Sequence, residues 1–190
     1  MSELGELERI LKRLNPEWKD IVAQIVDITM SELERILKGL TLEELNWQPK
    51  PDCNSIGWTT WHLTRALDAV ISMITGEEQL WIRDGWCTKF NRPADPADTG
   101  GRHTPEQVAA FNSPDTDILL DYFRAAYEKA NVCLAALNRS DLDRKIDDSW
   151  SQLLPTVGSR LVITIVDMLE HAGQIAYIRG LLQGKGWQEF

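Results

Sequence analysis

Cysteine is scarce and scattered in this chain: Cys53, Cys87 and Cys133 stand far apart, with no C-x-x-C pair. That spacing excludes a disulfide framework and a zinc knuckle, and it suits a reducing, cytoplasmic setting. Positive charge is also short. A formal net charge of −9 is the wrong sign for a surface that neutralises phosphates, so nucleic acid is not an expected partner. No long apolar run is uninterrupted: the most apolar stretch, "RLVITIVDMLEHAGQIAYIRGLL", is broken by Asp167, Glu170 and His171, so a membrane span is not expected. The opening "MSELGELERI" has neither the charged n-region nor the apolar h-region of a secretory signal. There is no G-x-S-x-G, P-loop, glycine-rich dinucleotide turn or kinase signature, so no motif announces a nucleophile or a nucleotide site. Internal repeats and low-complexity segments are missing too.

What the sequence does have is helical periodicity. With 190 residues and 43% hydrophobic content, one domain with a sizeable core is expected over 1–190. A short amphipathic piece runs from 4 to 14. Asn15-Pro16 then reads as an N-cap with proline at the first helical position. The first long helix follows, with Ile21, Ile25, Ile28, Leu33 and Ile36 at roughly 3.6-residue spacing, and stops at Gly39. Thr41 and Glu44 form a potential capping box, and Pro49 and Pro51 forbid a helix through the connector. Ser55 caps a second long helix, about 56–75, ended by Gly76.

The stretch from 76 to 103 is irregular and long for a compact domain. Its first half, with Trp81, Trp86 and Phe90, is expected to pack on the core, and "RPADPADTGG" to be exposed. A short helix from Thr104-Pro105 precedes a third long helix, about 115–138. After a return segment, Ser159 is expected to cap the fourth, ending near Gly184. The fold class is therefore all-α: a four-helix bundle with a long crossover loop between helices two and three.

The fourth helix carries the chemistry. It is apolar on nearly every side, which implies burial on more than one face, either centrally or against a second subunit. On it Asp167 and His171 are four residues apart and share a face, with Gln174 three residues further on. On helix two, "SIGWTTWHLTRALD" carries His62 one turn after Trp58. If helices two and four meet, two imidazoles and a carboxylate converge, the donor set of many open divalent sites. Spacing alone leaves a second reading open: a core histidine, and a local Asp–His hydrogen bond.

The stretches "NWQPKPDCNSIGWTTWHLTRALD", "LWIRDGW" and "EHAGQIAYIRGLLQG" resemble the DinB/YfiT-like superfamily of bacterial helical-bundle proteins over most of the chain. The resemblance implies a bundle, commonly a homodimer, with a divalent metal (zinc, nickel or iron) held by one histidine of helix two and a His-x-x-x-His pair of the last helix. His62 matches the first position and His171 the last. Position 167, where the pattern has histidine, is Asp167, which would make the site more oxygen-rich.

His103, just before a helix N-terminus, is either an additional ligand or proton-transfer group, or an exposed loop histidine. Characterised relatives include transferases that use low-molecular-weight thiols, and maleylpyruvate isomerases. The function implied is therefore a metal-dependent, thiol-linked transfer to a small-molecule substrate. The alternative is a non-catalytic, stress-induced dimer whose His/Asp cluster is structural. Trp58, Trp81, Trp86 and Gln174 are candidates to line the pocket; the alternative for Trp81 and Trp86 is that they only anchor the loop, and for Gln174 a supporting or packing role. Arg65 and Arg83 would either hold an acidic group of the substrate or form ion pairs.

Overall fold

The long helices begin where a capping residue precedes them and end on a backbone amide that closes the last turn. The structure, a computed structural model, describes residues 17–187; the expected piece at 4–14 and the Asn15-Pro16 cap lie outside them. Helix α1, Trp18–Leu37, starts with a capping box between Glu17 and Asp20. Helix α2, Leu42–Asn46, uses the expected box of Thr41 and Glu44. Helix α3, Ile56–Thr75, opens on the Ser55 hydroxyl, which accepts from the Trp58 amide, and ends at Gly76 in the left-handed region (φ 76°).

Three short helices follow: α4 (Leu80–Arg83), α5 (Trp86–Lys89) and α6 (Pro105–Ala109). Helix α7, Thr116–Ala136, is capped by Asp115. Helix α8 runs from Val157 to Gln183. Its cap is Thr156 rather than the expected Ser159: Ser159 is the third helical residue and reaches back to the Thr156 amide at 3.0 Å, as the N3 member of a capping box does. Among the described residues there is no strand, only an isolated bridge between Lys145 and Thr156. The described residues are thus all-α.

Helices α1 and α3 each pack against both α7 and α8. Cross-helix pairs give the directions. Glu34 meets Arg124 while Asp27 meets Tyr127, so α1 and α7 are antiparallel. Arg65 meets Tyr122 while Ser72 meets Lys129, so α3 and α7 run the same way. The segment joining α3 to α7 must therefore return along their length. The buried face of α1 carries the expected Leu33 and Ile36 together with Val26 and Met30, while the expected Ile21 and Ile28 are exposed. The helix holds two apolar sets with the same period, and packing selects the one that meets α7 and α8.

The core of the described residues is one contiguous cluster that includes Trp61, Trp81, Tyr122 and Phe123. On α8, Leu161, Met168, Ile175 and Ile178 face the core, while Val162, Ile163, Val166, Leu169, Tyr177 and Leu181 are exposed in the single chain; of the two expected alternatives, the central one is not seen. By length and composition alone, Val157–Trp187 would suffice to cross a membrane. It packs against α1 and α3, and Asp167, Glu170 and His171 interrupt its apolar run.

Candidate metal centre

The contact between α3 and α8 brings together His62, Asp167 and His171. One ligand atom from each can be chosen so that all lie within 4.8 Å of one another. The His62 and His171 rings meet edge to face with centroids 4.8 Å apart, and His171 Nε2 lies 3.3 Å from Asp167 Oδ1. All three side chains are half-buried, so the cluster is shielded yet reachable.

The outward nitrogens matter as much. His62 Nδ1 is 2.5 Å from the Thr99 backbone carbonyl. A carbonyl only accepts, so Nδ1 carries the hydrogen and Nε2 keeps its lone pair. His171 Nδ1 is 2.9 Å from Gln174 Oε1, which gives that ring the same polarity. A metal-binding histidine characteristically donates its other N–H to a carbonyl or carboxylate, which fixes the tautomer and raises ligand basicity. Both histidines meet that condition, and the donor set of two imidazoles and a carboxylate suits zinc, nickel or iron(II). The residues present fit a divalent ion.

Electrostatics separate the two rings. Burial, the largest influence, lowers the His62 pKa against the opposing pull of the Thr99 carbonyl. At His171 burial also opposes protonation, but hydrogen bonds to Asp167 and Gln174 and the carboxylate charges overcome it and raise the pKa. Burial pushes Asp167 upward, yet the hydrogen bond and charge of His171 hold its carboxyl below the usual range. These two opposed shifts share one cause, the attraction between His171 and Asp167 across 3.3 Å.

The other candidates separate from this cluster. Trp58 stacks on His62, with centroids 5.0 Å apart and planes 15° from parallel. His103 lies behind Trp58 and is used up there: its Nδ1 accepts from Trp58 Nε1 at 3.1 Å and its Nε2 donates to Asp98 at 2.9 Å. With both nitrogens engaged it is neither a ligand nor a proton shuttle in this arrangement. Gln174 touches His171 rather than a pocket.

Trp86 is not beside the cluster. It stacks on Tyr122 at 5.0 Å, with the Lys89 ammonium 3.7 Å above its ring. Trp81 is buried against Trp61 and Tyr122, and both rings anchor the segment after α3. Arg83 pairs with Asp84. Arg65 is fully buried and held by protein oxygens, so it does not face a substrate.

The stretch expected to be exposed divides in two. Residues 93–97 are exposed, while Asp98 and Thr99 are half-buried and Gly100 is buried. The chain folds back onto His62 there because Gly100 takes φ +87° and lies so close that a Cβ would stand 2.8 Å from Trp61 and 2.9 Å from Trp58. A cleft of about 1490 Å³ opens from His62 and Asp167 and is lined by Ala66, Val70 and Met73 of α3 and Ile163 of α8. The Thr99 carbonyl was invisible to side-chain reasoning; the only signal near it was the glycine pair at 100 and 101.

Comparison with known proteins gives the following. A family model described as the DinB superfamily matches residues 25–175, a span that contains His62, Asp167 and His171. A solved crystal structure of a conserved protein from Enterococcus faecalis is 31% identical with a TM-score of 0.80, covering 89% of this chain and 99% of that one. No curated protein matches the sequence.

Proposed function

The chain belongs to the DinB superfamily, and from that premise we propose that it is a divalent-metal-dependent enzyme whose centre is His62, Asp167 and His171. The observation that carries the reading is the paired polarity of the two imidazoles: both Nδ1 groups are engaged by carbonyl oxygens, so both Nε2 atoms are left for the cluster. A divalent ion held there supplies Lewis acidity, lowering the pKa of a thiol or water that it binds toward neutrality. Asp167 offsets part of the ion's charge, Gln174 orients His171, and Trp58 covers one face of His62. The cleft along α3 and α8 offers an apolar wall for a small-molecule substrate. Thiol-dependent transfer is the activity in this reading, as the family resemblance implies.

The same reading takes the four long helices as a four-helix bundle with a crossover between α3 and α7, supported by their parallel register. It takes the protein as a cytoplasmic homodimer. The exposed apolar residues of α8 support a subunit contact, and three unpaired cysteines suit a reducing compartment. Light scattering that gives a monomer at micromolar concentration contradicts the dimer.

The test is metal content. Protein purified without a histidine tag should carry, or take up on reconstitution, close to one equivalent of zinc, nickel or iron. His62→Ala and His171→Ala should lose it with the fold intact. Absence of metal after reconstitution overturns the proposal and favours a second reading, a non-catalytic dimer. What speaks for that reading is that His171 Nε2 lies 3.3 Å from Asp167 Oδ1, so the two side chains can pair with each other without an ion.

A further inference from the structure

Arg65 is a charged side chain with no access to solvent and no place in the metal cluster. A guanidinium has five N–H donors in a rigid fork, and here each faces an oxygen. Nε donates to the Asp98 carbonyl at 3.1 Å. Nη2 donates to the Asp95 and Pro96 carbonyls at 3.4 and 3.3 Å. Nη1 donates to the Tyr122 hydroxyl at 3.2 Å and lies 3.6 Å from Asp68 Oδ2.

Three of these acceptors are backbone carbonyls of one strap, residues 95–98, and the next carbonyl along, that of Thr99, is the one bonded to His62 Nδ1. The strap has other anchors among the described residues, but only one of them shares an Arg65 carbonyl: Gln79 Nε2 donates to the Pro96 carbonyl at 3.2 Å. Arg92 and His103 hold the Asp98 carboxylate, and Gly100 gives the close approach. On the far side the Tyr122 hydroxyl donates to Asp68 at 3.0 Å, and Asp68 accepts the amides of Leu80 and Trp81. The anchor of the strap is therefore itself fixed to α3, α4 and α7.

We propose that Arg65 is a positioning residue: by gripping the 95–98 carbonyls it presents the Thr99 carbonyl to His62, and so holds His62 as the Nδ1–H tautomer whose Nε2 faces Asp167 and His171. The proposal builds on the metal reading, but its first consequence, the tautomer, exists in metal-free protein. Arg65→Lys separates this role from a structural one. Lysine keeps a cation opposite Asp68, but its three donors on a single nitrogen cannot span the strap carbonyls and Tyr122 together.

The experiment is nitrogen NMR of histidine-labelled, metal-free protein above the pH at which His62 titrates, paired with zinc titration. In the wild type His62 should show the Nδ1–H tautomer. In Arg65→Lys it should become a mixture of tautomers, and zinc affinity should fall about 10–100-fold, the range for loss of an outer-shell partner. Gly100→Ala should produce the same two changes without touching Arg65, because its Cβ would lift the strap from the tryptophans. Helicity and melting behaviour identify a variant that has lost its fold. The proposal is overturned if His62 keeps a pure Nδ1–H tautomer in folded Arg65→Lys and Gly100→Ala. It is equally overturned if the wild type shows the Nε2–H tautomer. A wild type with the Nδ1–H tautomer and no affinity for zinc supports the positioning role while refuting the metal reading.

Discussion

Helix α3 presents polar chemistry on two sides, and the two sides are built differently. Toward α7, Arg65, Asp68, Tyr122 and Lys129 form a buried set in which the carboxylate collects amides, a hydroxyl and two cations. Burial pushes the Tyr122 phenol well up, and Arg65, Asp68 and Tyr122 have no access to solvent. Toward α8, His62, Asp167 and His171 are half-buried, His62 and Asp167 border an open cleft, and carbonyl oxygens take both imidazole Nδ1 atoms, which leaves both Nε2 atoms for the cluster. A buried polar network that satisfies all its members specifies a structure, whereas one with lone pairs left over can take a ligand. Residue types alone do not separate these cases; what separates them is whether protein oxygens use up each donor and acceptor.

The comparison breaks most visibly at Asp68. Asp68→Ala leaves two cations without their buried partner and frees two amides, so it should destabilise the fold by about 3–5 kcal/mol in urea unfolding while removing none of the three metal donors. His62→Ala should do the reverse. Its cost in stability should be about 1 kcal/mol or less, given that the side chain is half-exposed, while metal affinity should fall by more than the roughly 100-fold upper range for an outer-shell loss. Gln174→Ala removes only the partner of His171 Nδ1 and should weaken metal binding about 10-fold. Trp86→Phe, on the α7 side, should leave metal binding unchanged.

The pH dependence follows from the two opposed histidine shifts. His171 is raised, so its pairing with Asp167 stabilises the metal-free fold fully below the ordinary histidine value of about 6.5 and is lost as pH rises through its folded pKa. His62 is lowered, so stability falls as pH drops from that ordinary value through its folded pKa. As far as these two groups decide it, the metal-free fold is most stable near pH 6.5, which unfolding curves across pH 5–8 would check. Metal retention should fall as pH drops through the His171 pKa, because proton and ion compete for the same nitrogen.

Much of this was legible in the sequence where side chains carry periodic or spacing information. The helix bounds at Ser55 and Gly76 followed from cap chemistry. The Asp167–His171 pair followed from i, i+4 geometry, and its meeting with His62 from the resemblance. What escaped were features with no side-chain signature or with two equivalent solutions. The Thr99 carbonyl is backbone, 37 residues from the histidine it orients. Arg65 looks like a substrate anchor until its burial is known. The two apolar sets of α1 share one period, and only tertiary packing chooses between them. His103 carried the right chemistry for a ligand, but Trp58 and Asp98 occupy both of its nitrogens.

The central claim is that α3 and α8 together hold a divalent ion. Crystals soaked in zinc should give an anomalous peak bonded to His62 Nε2, an Asp167 oxygen and His171 Nε2 at about 2.0–2.2 Å. A peak held elsewhere, or none at those three residues under conditions where zinc binds other surface sites, would contradict it.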